Sequence, residues 1–138
     1  MRLHKNAKVD LLRRVPLFAN LGKRDLERLG GVADELDLGA TRTLIKEGTR
    51  GREFFVLVDG EAKVTRNDRR VATMRAGDFF GEIALITDVP RTTTVTAETP
   101  VRLLVLTKRD FQRVLREQPQ IQRKVLEALA KRLAPETI

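Results

Sequence analysis

Two neighbouring stretches in the middle of the chain carry residues that can do chemistry together. The first, Phe80-Gly81-Glu82-Ile83-Ala84-Leu85-Ile86-Thr87, sets a glycine turn, an acid and an apolar run in order. After Asp88-Val89 the second, Pro90-Arg91-Thr92-Thr93-Thr94-Val95, brings an arginine to the start of a β-forming run. Gly81 lets backbone pass close to a ligand and makes a tight turn inexpensive. Glu82 to Thr87 is too short for a free helix but predicts about one and a half turns against a core. The unbonded N–H groups at the start of such a turn, with its dipole, favour an anion such as phosphate. Arg91 adds a fork of donors that can meet two phosphate oxygens at once, and Pro90 fixes φ just before it. Glu82, itself an anion, suits a sugar hydroxyl better than a phosphate. Taken singly, Glu82 reads as an ordinary acid at a helix start and Arg91 as a surface strand residue. Together they suit a small ligand carrying an anionic group and a hydroxyl.

The whole string closely resembles the phosphate-binding cassette of the cyclic-nucleotide-binding domain family, which includes kinase regulatory subunits, nucleotide-gated channels and bacterial catabolite activators. The resemblance covers nearly the whole chain and is most specific at 81–95. It implies that Glu82 holds the ribose 2′-hydroxyl, that Arg91 holds the cyclic phosphate, and that Gly81, Ile83, Ala84, Thr92 and Thr93 complete the ligand site. The ligand expected is a cyclic purine nucleotide, cAMP first, with cGMP as a second ligand. Thr92 bears on that choice, because a threonine hydroxyl can accept a bond from the guanine amino group that adenine lacks. Strand alternation places Thr92 and Arg91 on opposite faces, so both reach a ligand only if the strand starts irregularly. The resemblance further implies a non-catalytic receptor with no cofactor, an effector protein as partner, and a C-terminal helix that moves when nucleotide binds.

The elements that must position these residues read as helices, then strands, then helices. Val9, Leu12 and Val15 recur at helical spacing over 8–15 until Pro16 breaks the pattern. Val15-Pro16-Leu17-Phe18 resembles the family's entry signature. A second helix is predicted over 23–33, with Leu26 and Leu29 inward and its end weakened by Gly30-Gly31. From 34 to 107 the period shifts toward two, and strands are predicted over 35–38, 43–46, 53–58, 61–66, 70–74, 93–97 and 101–106. Gly39, Gly48, Gly51, Asp59-Gly60, Asn67-Asp68, Gly77-Asp78 and Pro100 punctuate them. Asn67-Asp68 suits a two-residue hairpin, and Phe54-Phe55-Val56-Leu57-Val58 reads as a central strand. Thr107 is a candidate N-cap for a helix to about 117. Pro119 then opens another, with Ile121, Val125, Leu129 and Leu133 in a stripe and Pro135 at its end. That stripe fits core packing, a lid or a homodimer. The fold class predicted is α+β, mainly β: an eight-stranded antiparallel β-roll of jelly-roll type, flanked by N-terminal helices (8–33) and C-terminal helices (108–133), in one domain over 1–138.

Composition narrows the function further. The chain has 138 residues, enough for one sizeable core, and no cysteine, which removes disulfides, thiol catalysis and zinc-thiolate sites together. His4 is the sole histidine and sits near the terminus, so a metal cluster of the cupin kind and a Ser/His pair are both out of reach. No apolar run approaches membrane-spanning length and no signal core follows the basic opening, so a cytoplasmic protein without a membrane partner is expected. The net charge of +8 is scattered over Arg13-Arg14, Lys23-Arg24, Arg69-Arg70 and Lys131-Arg132, and tyrosine and tryptophan are absent. The residues make a poor stacking platform for single strands, and no direct DNA binding by this chain is expected. A transcription regulator of which this is one part, and a fold kept without its ligand, remain the alternatives.

Overall fold

The computed structural model describes residues 3–133, which form two compact units. One takes in the chain up to Ala33 and from Arg109 onward; the other is Asp34–Lys108.

The first unit is helical. α1 (Lys5–Arg13) begins three residues before the predicted start, because its first turn carries no large apolar residue to reveal the period. It ends before Val15, which lies extended at ψ 121° as a residue preceding proline must. Pro16–Phe18 makes a single 3₁₀ turn, and α2 (Lys23–Val32) follows. Lys8 Nζ donates to the carbonyls of Gly30 and Ala33 at the end of α2, the first of which also accepts from the Ala33 N–H. α3 (Lys108–Glu117) and α4 (Pro119–Leu133) complete the unit. Leu12, Leu17, Phe18, Leu26, Leu29, Phe111 and Ile121 are buried, and the Phe18 and Phe111 rings meet at 5.8 Å. Asp25 is its one buried charged side chain among the described residues, and Lys124 Nζ reaches it from α4 at 3.1 Å. In the predicted stripe Ile121 and Val125 are buried and Leu129 is half-buried, Ala128 is buried beside them, and the Leu133 side chain lies outside the described residues. Pro135 lies outside the described residues.

The second unit is two four-stranded antiparallel sheets. The strands are β1 (Asp34–Leu38), β2 (Thr43–Ile45), β3 (Glu53–Asp59), β4 (Ala62–Arg66), β5 (Arg69–Met74), β6 (Phe79–Phe80), β7 (Thr94–Ala97) and β8 (Val101–Thr107). One sheet runs β1-β8-β3-β6 and the other β2-β7-β4-β5. The eight-stranded roll expected from the sequence is therefore present. The strand that periodicity missed is β6, whose two residues are too few to show alternation. Phe80 of β6 stacks on Phe55 of β3 at 5.1 Å, and this pair sits in a core with Leu57, Val64, Val95 and Leu103. β3 is central and buried over Phe54–Leu57, as its unbroken apolar run predicts. Asn67 and Asp68, at φ 52° and 64°, close the two-residue β4–β5 hairpin.

Candidate functional site

Arg91 is held by backbone before its side chain does anything. Its N–H donates to the Thr49 carbonyl at 2.7 Å, its carbonyl accepts from the Gly48 N–H at 2.8 Å, and Pro90 bridges Arg50. Arg50 adds a 2.8 Å ion pair to Asp88, which ties the segment before Pro90 to the loop after β2. The arginine side chain then runs inward until it is only 7% exposed. Nη2 donates to the Glu53 carbonyl at 2.7 Å, and the Glu53 carboxylate stands off at 3.9 Å, itself half exposed. Burial lowers the Arg91 pKa, and the Glu53 charge offsets that in part. A guanidinium keeps its proton regardless, so the site presents a desolvated cation with a distant counter-charge. Such a group favours an anion that can approach it closely.

The wall facing Arg91 is built by Gly81. It sits in the left-handed region at φ 86°, and a Cβ there would come within 2.5 Å of Arg91 Nη1. Glycine is thus required twice over, by backbone and by space. A four-residue 3₁₀ turn, Glu82–Leu85, follows in place of the longer helical turn expected. Ala84 N–H donates to the Gly81 carbonyl, and Ile86 and Thr87 both donate to the Ile83 carbonyl. Among the described residues no backbone carbonyl takes the N–H groups of Glu82 and Ile83, which leaves two first-turn donors rather than three. Ala84 and Leu85 anchor the turn in the core, while Ile83 is 44% exposed.

These pieces enclose a cavity of about 240 Å³. Gly81, Glu82, Ile83, Ala84, Arg91, Thr92 and Thr93 all line it, so the structure brings together every residue singled out from the sequence. Ile45, Phe80, Val89 and Pro90 complete the lining. Regular pairing of β7 begins only at Thr94. Arg91 to Thr93 therefore escape strand alternation, and Thr92 shares the cavity with Arg91. The Thr92 carbonyl accepts from Arg66 Nε at 3.4 Å.

Two participants escaped sequence reasoning. Glu53 contributes through its main-chain carbonyl, which no residue type announces. Gly51 read only as turn punctuation, yet it is buried, and a Cβ on it would overlap the Arg91 guanidinium. Among the described residues no cluster of histidine, cysteine or carboxylate could hold a metal, and no helix is long and apolar enough to cross a membrane.

Comparison with known proteins agrees with this geometry. A family model described as "Cyclic nucleotide-binding domain" matches residues 35–118. A cAMP-dependent protein kinase regulatory subunit of Yarrowia lipolytica is 38% identical over 106 residues, which is 75% of this chain and 28% of that protein. The chain therefore spans about a quarter of such curated relatives. Among solved structures, the N-terminal domain of a transcriptional regulator from Streptomyces coelicolor A3(2) superposes with a TM-score of 0.86 at 34% identity, over 93% of this chain and 95% of that one. A cyclic nucleotide-binding-like protein from Brucella abortus bv. 1 str. 9-941 gives 0.75 at 25% identity, covering 80% and 98%.

Proposed function

This chain belongs to the cyclic nucleotide-binding domain family, and from that membership we propose that the cavity over Arg91 receives a cyclic purine nucleotide, with cAMP the main ligand and cGMP the second. The observation that carries the proposal is the desolvated Arg91 guanidinium facing a cavity also lined by Glu82 and the N-terminal end of a short turn. The cyclic phosphate sits against Arg91 and the N–H groups of Glu82 and Ile83. The Glu82 carboxylate accepts from the ribose 2′-hydroxyl, Ala84 packs beneath the sugar, and Thr92 and Thr93 lie toward the base. Relatives named as regulatory subunits of a cAMP-dependent kinase support the choice of cAMP. Binding needs no metal or cofactor and the chain is a receptor, not an enzyme. It acts in the cytoplasm on an effector protein through movement of α4, with pairing of two copies along α4 as its oligomeric option.

Calorimetric titration of the chain with cAMP and cGMP, alongside Arg91→Ala, tests this. Removing one partner of a desolvated charge pair costs about 2–5 kcal/mol. Arg91→Lys is expected to bind poorly as well, since a point charge cannot reproduce the planar fork. A folded Arg91→Ala protein with undiminished cAMP affinity would remove the assignment. The similarity to the N-terminal domain of a Streptomyces regulator favours a second reading, in which this unit is the sensor of a DNA-binding protein. The mass of the cellular protein, followed by a DNA-shift assay with and without cAMP, separates the two.

A further inference from the structure

We propose that Gly51 is a positioning residue for Arg91: its missing Cβ leaves the space in which the guanidinium lies, an inference that rests on reading the cavity as a cyclic-nucleotide site. A Cβ on Gly51 has three nearest neighbours, and all belong to Arg91: Nε, Cζ and Nη2. Gly81 approaches a different atom of the group, and a Cβ there would stand 2.5 Å from Nη1. Space left by two missing Cβ atoms therefore admits the guanidinium, which is fixed by the 2.7 Å bond from Nη2 to the Glu53 carbonyl.

The two glycines do different jobs. Gly81 has φ 86° and needs glycine for its backbone alone. Gly51 lies outside the left-handed region, so alanine meets no dihedral strain there, and its penalty falls on Arg91. The guanidinium cannot yield by compression, being planar and rigid. The Arg91 backbone is pinned by its bonds to Thr49 and Gly48. An added methyl must therefore push the side chain off the Glu53 carbonyl and out of line with the cavity.

Four proteins decide it: the parent, Gly51→Ala, Arg91→Ala and the double variant, each measured for cAMP affinity by calorimetry and for thermal midpoint. If Gly51 acts through Arg91, Gly51→Ala weakens cAMP binding about tenfold or more. The same change made on Arg91→Ala alters affinity by no more than about twofold, because the group it displaces is gone. The midpoint falls in Gly51→Ala and returns in the double variant, since removing the guanidinium removes the overlap. A Gly51→Ala chain that fails to fold, beside a double variant that folds, gives the same answer. Parent-like binding by Gly51→Ala, or an equal loss of midpoint whether or not Arg91 is present, overturns the proposal. Should the parent itself bind no cAMP, the functional reading fails while the midpoints still decide whether Gly51 makes room for Arg91.

Discussion

A guanidinium drawn down to 7% exposure with its nearest carboxylate 3.9 Å away is costly to keep, and a protein bears that cost where a ligand exploits it. On the proposed reading, two neighbouring residues bear on which ligand that is. Glu82 lines the same cavity as Arg91, yet like charge keeps its carboxylate from the phosphate. If it accepts from the 2′-hydroxyl, a 2′-deoxy cyclic nucleotide should bind about 1.5–3 kcal/mol more weakly than cAMP, the usual worth of a hydrogen bond to a charged group. Competition titration of the two ligands measures the difference, and equal affinities would reduce Glu82 to an acid favoured by the start of its turn. Thr92 reaches the cavity because β7 does not begin its pairing until Thr94. A bond from the guanine amino group to its hydroxyl is a neutral one, worth about 0.5–1.5 kcal/mol. Thr92→Ala should accordingly lose roughly threefold to tenfold in cGMP affinity and keep its cAMP affinity. Full cGMP binding by that variant would mean that Thr92 has no role in reading the base.

At the scale of elements, exposed ion pairs bind the sheet edges to their neighbours. Arg102 Nε donates to Asp37 at 2.9 Å, joining β8 to the edge strand β1, and holds that carboxyl below its ordinary 3.8. Arg70 of β5 does the same for Glu98, just after β7, holding it below 4.5. A carboxylate whose pKa is depressed by folding stabilises the fold above its unfolded pKa, and that contribution is lost as pH falls through the folded value. The urea midpoint is therefore expected to stay level from neutral pH to about 5 and then decline. An Asp37→Asn/Glu98→Gln protein should decline less steeply, and an unchanged slope would show that neither pair carries the acid sensitivity. These cross-strand pairs also mark what a linear sequence conceals. The roll itself was legible because glycine and Asn-Asp turns divide runs of period two. The cassette was legible because Gly81, Glu82 and Arg91 lie within a dozen residues of one another. Gly51 and Glu53 were not, since they meet Arg91 from about forty residues away and through bare space and a main-chain carbonyl. The Asp25–Lys124 contact spans 99 positions between helices whose own periodicity is complete without it. β6 is too short for any pattern, and its weight comes from the contacts of Phe80 with Phe55 and Phe79 with Phe54.

For the whole molecule, the question is how occupancy of a cavity in Asp34–Lys108 becomes a signal. A nucleotide-binding domain can report its ligand by shifting the balance of its conformers, and the shift is limited by how differently the ligand binds each of them. The net charge of +8 can speed the arrival of an anionic nucleotide, an effect that salt should suppress. It cannot by itself carry information onward. The carrier proposed here is α4. Ile121 and Val125 bury its inner face and Lys124 pins it to Asp25, while Leu126 leaves a large apolar side chain 59% exposed on the other side. A helix with apolar residues on two faces has a second surface on which to dock. We expect amide exchange over 119–133 to slow at saturating cAMP, by docking of α4 or by damping of its local opening. Hydrogen-exchange mass spectrometry with and without nucleotide measures this, and Arg91→Ala, which is expected to weaken binding, should reduce the slowing as well. Exchange over α4 that is the same with and without bound cAMP would leave a passive nucleotide binder. Slowing that persists in Arg91→Ala would trace the effect to a site other than the cavity.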